Sequence, residues 1–230
     1  MTEQPILAQT ATLASLATQR AGASRVFARH HLDFCCHGNV SLAEACAKRG
    51  LDPKEVIREI AAQERGPDAP SAWESRSLNS LITHLLDRYH RDHRAELPRL
   101  VTMARRVEQV HAEKAECPRG LAAAMGRLFE ELDLHMQKEE QILFPLIVSG
   151  RGAAAGGPIH VMEREHEDVA ADLERIRGLT RDYVPPEGAC GTWRALYLGL
   201  AEFERELMEH VHLENHILFP RALRSEDSVQ

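Results

Sequence analysis

An eleven-residue segment that occurs twice constrains the fold of this 230-residue chain more than any other feature. The first copy, HMQKEEQILFP, begins at His135, and the second, HVHLENHILFP, begins at His210. Six of the eleven positions carry the same residue in both copies: His, Glu, Ile, Leu, Phe and Pro. A repeat of this kind predicts two equivalent helix hairpins, related by a pseudo-twofold axis, that each supply one half of whatever lies between them.

Four long helical patterns occupy the larger part of the chain, over residues 75–115, 119–148, 158–181 and 187–222. The connections between them are rich in Pro and Gly, which interrupt helices, and Pro98 predicts a kink in the first pattern. Short connections between long helices imply antiparallel neighbours. Because β-branched runs are also scarce, the sequence predicts an all-α fold with an up-down four-helix bundle over residues 75–224.

A smaller helical unit precedes the bundle. Residues 1–63 contain short helical patterns, one opened by Ser41 with Glu44 at the capping-box spacing and another opened by Pro53. Residues 64–74 are rich in Pro, Gly and Ser and have no apolar period, which is typical of a linker. The predicted organisation is therefore an N-terminal helical module, a linker and the bundle.

Polar residues interrupt the apolar stripes of the second and fourth bundle helices. Apolar residues recur at alternating steps of three and four along the second helix, yet His135 and Glu139 occupy two successive stripe positions before Ile142. His210 and Glu214 do the same on the fourth helix. An unpaired buried carboxylate is costly or becomes protonated, so these side chains require a compensating partner.

The first and third bundle helices each supply one further histidine. On the third helix His166 lies on the apolar stripe, whereas His160 lies about 240° away around the helix. On the first helix His84 lies at the margin of the apolar face. In a regular α-helix His90 and His93 fall about 240° and 180° from His84, so His84 is the predicted core histidine.

Four imidazoles and two carboxylates are thus predicted to converge on a metal site: His84, His135, Glu139, His166, His210 and Glu214. A single buried His and Glu pair is commonly a structural hydrogen bond, but two aligned pairs with two further core histidines favour metal binding. Ligands of this kind without thiolate suit iron, manganese or zinc, and the arrangement is typical of dimetal carboxylate proteins. If each Glu bridges both ions, each ion receives two His nitrogens, two carboxylate oxygens and one shared oxo or hydroxo oxygen, which leaves one open position.

Other polar residues near these stripes are predicted to play lesser roles. Glu140 points about 140° off the stripe and is at most an outer partner of a ligand. His212 and His216 form a pair four residues apart on another face, which favours a solvated or outer role. His111 lies beyond Pro98 and is expected at the surface.

The N-terminal module contains two adjacent cysteines, Cys35 and Cys36, flanked by His30, His31 and His37. This grouping could bind metal, but it lacks the spaced second pair of a zinc knuckle, so zinc is not expected there. The two thiols could act in docking or transfer, or could be inert loop residues, and the sequence leaves both alternatives open.

Charge and cysteine usage exclude several classes of protein. The chain has 28 basic and 35 acidic side chains, a formal charge of −7, which gives no support for binding nucleic acid or an anionic membrane. No apolar run approaches the ~18 residues of a membrane span, and the N-terminus lacks the features of a signal peptide. Five cysteines without a paired framework suggest reduced thiols, so a cytoplasmic location is expected.

The motifs as a set resemble the iron-sulfur cluster repair (RIC) family of di-iron proteins, which is built on a hemerythrin-like four-helix bundle. In the N-terminal module, LDFCCHG from Leu32 and SLAEA from Ser41 are similar to the short module that the family carries. In the bundle, the similarity covers LITH, RYH, HM followed by KEEQILFP, GPI, VME with EH, and LEN. The resemblance extends over nearly the whole chain.

The resemblance implies iron ligands at His84, His135, His166 and His210, with Glu139 and Glu214 as bridging carboxylates. It implies an oxo- or hydroxo-bridged centre of two non-haem iron ions. It also implies the repair of iron-sulfur clusters that nitrosative or oxidative stress has damaged, by supplying iron or by processing nitric oxide. The expected partners are damaged iron-sulfur proteins and small molecules such as nitric oxide or oxygen.

Three other functions fit parts of the pattern. One is a hemerythrin-like protein that binds or senses oxygen or nitric oxide. Another is an enzyme that reduces nitric oxide at the open positions, so the sequence leaves open whether the protein is an enzyme. A DNA-binding regulator would use the helices after Ser41 as a helix-turn-helix, but the acidic charge opposes it. The sequence also leaves open the electron donor and whether the N-terminal module pairs two chains into a homodimer.

Overall fold

The computed structural model describes residues 9–20, 22–63 and 72–224. Within these ranges the chain forms helices and no β-strand, and Thr12 and Ser41 form an isolated antiparallel bridge. The all-α prediction is confirmed. Of the predicted linker, residues 64–71 lie outside the described ranges, and so do residues 1–8 of the predicted module.

The described residues of the predicted N-terminal module include four short helices: α1 (Leu13–Gln19), α2 (Ala23–Arg29), α3 (Leu42–Arg49) and α4 (Pro53–Gln63). The predicted cap of α3 is confirmed, because the Ser41 side chain accepts a hydrogen bond from the backbone N–H of Glu44 at 3.2 Å. Gly50 ends the helix with a φ of 67°, a left-handed conformation that glycine adopts without steric cost. A one-turn helix, α5 (Ala72–Ser75), precedes the bundle.

The bundle consists of four long helices, three of which are built from successive segments. They are α6 (Leu78–His84, Leu85–His90 and Arg91–Val110), α7 (Leu121–Lys138, Glu139–Leu143 and Phe144–Val148), α8 (Gly156–Thr180) and α9 (Gly191–Leu213, Glu214–Leu218 and Phe219–Leu223). The four predicted helices are confirmed. The α-helical segment of α6 continues through Pro98 to Val110.

The middle segments of α6, α7 and α9 are π-helical turns, over Leu85–His90, Glu139–Leu143 and Glu214–Leu218. A π-helical turn closes hydrogen bonds between residues five apart, so it holds one residue more than an α-helical turn. The extra residue shifts the buried stripe by one position after the turn in α7, whereas in α9 Ile217 and Leu218 are both buried. On α7, Leu143 is buried, whereas Ile142, the predicted stripe residue, is 53% exposed.

Two apolar cores fill the bundle, one on each side of the three π-helical turns. One core contains residues such as Leu128 and Leu200 and continues into the N-terminal module through Phe34. The other contains residues such as Leu81 and Leu218. The buried histidines and glutamates fall in the layer between them. Every helix in the described ranges is either too short or too polar to cross a lipid bilayer.

Candidate metal centre

Six buried side chains in the layer between the two cores form two linked groups. The first group is His90, Glu139, His210 and Glu214, and the second is His135, Glu139, His166 and Glu214. In each group the potential ligand atoms lie within 4.8 Å of one another, and both groups share the two glutamates. None of the six residues is more than 2% exposed. Five of these six residues are among the predicted ligands.

His84 belongs to neither group, and the fourth imidazole of the cluster is that of His90. The His84 ring stacks on Trp73 at a centroid distance of 4.4 Å and is only partly buried. The reason is the π-helical turn Leu85–His90, whose extra residue brings both Leu85 and His90 to the buried face of the helix. With regular α-helical spacing, His90 would lie outside the core.

Each glutamate faces one histidine from each group. Glu139 Oε1 lies 3.5 Å from His135 Nε2, and its Oε2 lies 3.5 Å from His90 Nε2. Glu214 Oε1 lies 3.1 Å from His210 Nε2, and its Oε2 lies 3.2 Å from His166 Nε2. The two oxygens of each carboxylate are therefore divided between two positions, as they are in a carboxylate that bridges two ions.

Three of the four histidines are held by a hydrogen-bond partner on the nitrogen that faces away from the cluster. His90 Nδ1 bonds to Glu140 at 2.8 Å, and His135 Nδ1 bonds to Glu165 at 2.9 Å. His166 Nδ1 bonds to the side-chain oxygen of Asn215 at 2.8 Å. Such partners fix the tautomer of a metal-binding histidine and leave Nε2 free for the ion. The outer role predicted for Glu140 is consistent with this contact.

The Nε2 atoms of His135 and His166 face each other at 3.1 Å. Two nitrogens bound to one ion at about 2.1 Å with an angle near 90° would be about 3.0 Å apart, so this separation fits a shared ion. In the absence of an ion, a proton can occupy the same place. Burial lowers the pKa of His135, but the Glu139 carboxylate and the bond to Glu165 outweigh it and raise the pKa to about 10.

Buried polar atoms of the cluster lack hydrogen-bond partners among the described residues. They are both oxygens of Glu139, Oε2 of Glu214, Nε2 of His90 and Nδ1 of His210. Burial and the nearby charge of Glu214 raise the pKa of Glu139 to about 7. Uncompensated buried groups of this kind cost free energy. A pair of cations would satisfy the Glu139, Glu214 and His90 atoms and remove the repulsion between the carboxylates, so the donor set fits metal ions.

His93 is a further buried residue at this level that the sequence analysis excluded. Its ring centroid lies 5.4 Å from that of His210 and 5.2 Å from that of Phe203. Its Nε2 atom has no hydrogen-bond partner among the described residues, and burial lowers its pKa well below the ordinary value. His93 lies three residues after His90, nearly one helical turn, so the same π-helical turn brings both residues to the inner face.

His212 and His216 connect the bundle to the N-terminal module. The ring of His212 is within 3.0 Å of Thr18 Oγ1 and 3.3 Å of the Phe34 carbonyl oxygen, and it is buried. His216 Nε2 bonds to the carbonyl oxygen of Cys35 at 2.9 Å. Of the two roles predicted for His212, solvated or outer, the solvated one is wrong, because the sequence could not indicate that the module covers this face of α9.

The remaining histidines lie away from the cluster. His30 bonds to Glu59, and His37 bonds to Asp33. His31 is 3.6 Å from a carboxylate oxygen of Asp182. His111 is partly buried and contacts the Cys190 thiol at 3.2 Å, and His160 is exposed.

The loop that carries the adjacent cysteines packs against α8. Cys35 and Cys36 are free, and the Cys36 thiol lies 3.5 Å from the carbonyl oxygen of His166. Asn215 donates a hydrogen bond to the Cys35 carbonyl oxygen at 3.1 Å while its side-chain oxygen holds His166. One amide group therefore links the cysteine loop to a histidine of the cluster.

Comparison with known families agrees with this geometry. A family model described as hemerythrin HHE cation binding domain matches residues 81–222, which contain all six residues of the cluster. A second model, described as ScdA_N, a domain of unknown function, matches residues 9–64. The chain is 50% identical over 215 residues, which is 94% of its length, to an iron-sulfur cluster repair protein YtfE of Yersinia pseudotuberculosis serotype IB (strain PB1/+). The chain belongs to the iron-sulfur cluster repair family.

A second member of this family, an iron-sulfur cluster repair protein YtfE of Yersinia pestis (strain Pestoides F), is also 50% identical over 215 residues. In both comparisons the alignment covers 97% of the relative. The family resemblance inferred from the sequence motifs is confirmed.

Proposed function

We propose that the layer between the two apolar cores holds two non-haem iron ions. His90 and His210 would bind one ion, His135 and His166 would bind the other, and Glu139 and Glu214 would bridge them. The observation that carries the proposal is the position of the carboxylate oxygens. In both Glu139 and Glu214, one oxygen faces a histidine of the first group and the other faces a histidine of the second group. Its support also includes the match to a cation binding domain.

The proposed function is the repair of iron-sulfur clusters damaged by nitrosative or oxidative stress in the cytoplasm. It rests on identity to relatives that are named iron-sulfur cluster repair proteins. Bound iron would supply electron transfer and exchangeable positions for a small molecule such as nitric oxide or oxygen. Damaged iron-sulfur proteins would be the partners that receive iron or are relieved of nitric oxide.

The residues around the proposed centre favour an affinity for iron that is strong enough to bind the ions and weak enough to release them. Each ion would receive two imidazole nitrogens and two carboxylate oxygens and no thiolate, which suits ferrous iron without the strong affinity of a thiolate site. Glu140, Glu165 and Asn215 orient three of the imidazoles. The apolar cores on both sides exclude bulk water, and this strengthens the electrostatic hold on the ions.

Reactivation of a damaged iron-sulfur enzyme tests the function. An aconitase-type enzyme would be nitrosylated, freed of excess nitric oxide, and incubated anaerobically with the iron-loaded protein. We expect recovery of activity with the wild type and none with the His90→Ala/His135→Ala variant, which lacks one imidazole of each proposed ion. Equal recovery with the two proteins, at iron contents measured in the same samples, would overturn the proposal.

Isotope labelling separates the two routes of repair. The protein would be loaded with ⁵⁷Fe, and the repaired enzyme would be examined by Mössbauer spectroscopy. Label in the repaired cluster indicates iron supply, whereas repair without label, accompanied by loss of nitric oxide from the solution, indicates nitric oxide processing. Gas binding with neither outcome would favour the sensor alternative and reject the repair function.

A further inference from the structure

A second group of ligand-type side chains lies in the loop after α2, outside the central cluster. The group consists of Asp33, Cys35 and Cys36, whose potential ligand atoms lie within 4.8 Å of one another. The two Sγ atoms are 3.7 Å apart. Asp33 Oδ1 lies 3.3 Å from the Sγ of Cys35. The Cys35 side chain is buried, while Cys36 is partly exposed.

Two of these separations match edges of a tetrahedron around one small ion. Two sulfurs bound at about 2.3 Å to a tetrahedral ion lie about 3.8 Å apart. A sulfur and a carboxylate oxygen around the same ion lie about 3.5 Å apart. The distances in the loop agree with both values to within a few tenths of an ångström. Small movements of side chains would therefore be enough for the three residues to bind an ion.

The adjacent cysteines are poorly placed for the alternative chemistry, which is disulfide formation. Cα atoms of adjacent residues are about 3.8 Å apart, whereas Cα atoms joined by a disulfide usually lie about 4.4–6.8 Å apart. Binding one ion requires no bond between the sulfurs and no change in the separation of the Cα atoms. The geometry of Cys35 and Cys36 therefore favours chelation.

Hydrogen bonds hold the carboxylate of Asp33 toward the two thiols. Its Oδ1 accepts the backbone N–H groups of Cys35 and Cys36 at 3.2 and 2.9 Å, and its Oδ2 accepts from His37 Nδ1 at 2.6 Å. Ligating carboxylates are commonly fixed by such outer partners. The loop itself is fixed to α9 through the Cys35 carbonyl oxygen, which accepts from Asn215 and His216.

The three side chains border a groove between the module and the bundle. The groove has a volume of about 760 Å³ and is lined by Asp33, Cys35 and Cys36 on one side and by His166 and Glu167 of α8 on the other. Space next to the sulfurs can accept a fourth ligand, such as water or an atom of a substrate. Three protein ligands with one exchangeable position are typical of reactive zinc sites, whereas structural zinc sites are closed.

We infer that Asp33, Cys35 and Cys36 form a second metal site, for one tetrahedral divalent ion of the zinc type. Both thiols lose their protons to solvent when the ion binds, so two thiolates and one carboxylate replace three of its water ligands. The sequence argues against zinc at these cysteines because the second cysteine pair of a zinc knuckle is missing. This site needs no second pair, and it does not depend on what the central cluster binds.

Cobalt(II) is a suitable probe, because tetrahedral thiolate coordination gives it visible ligand-field bands and ultraviolet charge-transfer bands. Iron-loaded protein would be titrated anaerobically with Co²⁺, with iron and cobalt counted in each sample. We expect one Co²⁺ per chain beyond the iron, with both sets of bands, and displacement of Co²⁺ by Zn²⁺. Absence of these bands from the wild type would overturn the inference, whatever the central cluster holds.

Variants identify the ligands. The Cys35→Ser/Cys36→Ser variant is expected to lose the bands and keep its iron, whereas Cys190→Ser, which removes an exposed free thiol, keeps the bands. Asp33→Asn retains an oxygen for the backbone N–H groups and is expected to weaken Co²⁺ affinity at least roughly tenfold. Unchanged bands in the double cysteine variant would refute the assignment. Circular dichroism of each variant shows whether the fold is retained.

Discussion

The His84 imidazole stacks on the Trp73 indole with ring centroids 4.4 Å apart, and it belongs to neither of the two buried His and Glu groups. Six residues later on the same helix, the His90 Nε2 atom lies 3.5 Å from a carboxylate oxygen of Glu139. The difference arises from the π-helical turn Leu85–His90, which gives the two histidines separate environments.

Substitution of these two histidines should therefore have unequal effects on metal content. We expect His90→Ala to lose at least one of two iron ions per chain after anaerobic loading, because one ion would keep a single imidazole. We expect His84→Ala to retain both ions. Iron analysis and the visible spectrum would measure the difference. The opposite ranking would restore His84 as the ligand and reject the assignment made from the structure.

Removal of the metal should destabilise the protein, and the stabilisation that the metal provides should depend on Glu139. At an ion concentration of 100 times Kd, binding contributes about 2.7 kcal/mol, or roughly 5 to 10 °C in Tm for a chain of this size. We expect Glu139→Gln to abolish this gain. In the metal-free state the same variant should be more stable than the wild type, because Glu139 and Glu214 no longer repel each other.

Thermal unfolding with and without Fe²⁺ would measure both effects. Glu130→Gln is a suitable control, since Glu130 lies on the same helix in an exposed position. An iron-dependent rise in Tm of equal size in Glu139→Gln and the wild type would argue against a bridging role for this carboxylate.

Asn215 should couple the metal centre to the cysteine loop. Its side-chain oxygen accepts from His166, and its amide nitrogen donates to the Cys35 carbonyl oxygen. We expect Asn215→Ala to weaken iron affinity about 10- to 100-fold and to speed hydrogen exchange in the loop. Asn215→Asp keeps the acceptor for His166 but not the donor, so it should speed exchange with a smaller loss of affinity. Unchanged affinity in Asn215→Ala would show that His166 needs no such partner.

Arg177 of α8 and Glu204 of α9 form an ion pair, and removal of one partner alone should strongly destabilise the protein. Arg177 Nε lies 2.6 Å from Glu204, and both side chains are largely buried. Arg177→Met would leave a buried carboxylate without its partner, at a cost of about 3–5 kcal/mol. The double variant Arg177→Met/Glu204→Leu should recover most of this loss. Urea unfolding would provide both values.

The same variant should show a defined pH dependence. Burial raises the pKa of Glu204 even with Arg177 present, and removal of the guanidinium raises it further. Because the folded state then binds a proton that the unfolded state has released, the stability of Arg177→Met should rise as the pH is lowered from neutrality and fall as the pH increases. The double variant has no carboxylate at this position and should lack this dependence. If both variants respond equally to pH, another group is responsible.

The repeat, the four helical patterns and the apolar stripes were together sufficient to predict the bundle and five of the six clustered residues. His135, Glu139, His210 and Glu214 precede or open their π-helical turns, so regular α-helical spacing placed them correctly. His166 lies on α8, which is α-helical throughout. Regular spacing was therefore adequate wherever no extra residue intervened.

His90 was missed because a helical-wheel analysis assumes a constant rotation per residue. A sign of the extra residue was present, however: Leu85 and Leu97 are both fully buried, yet in a regular α-helix they would lie about 120° apart. One inserted residue between them reduces the difference to about 20°. A mismatch in phase between the two halves of an apolar stripe could have located the turn. The covering of His212 by the N-terminal module depends on contacts between distant segments, for which the sequence offered no comparable pattern.

The extra residue in each of three helical turns has a consequence for how this protein tolerates deletions. Removing one residue from Leu85–His90 would relax that turn to ordinary α-helix and rotate everything on one side of it by about 100° relative to the other. Either the leucines on one side of the deletion or the His90 imidazole would then turn away from the interior of the bundle. The exposed side chains of these turns can therefore change more freely than the number of residues in them.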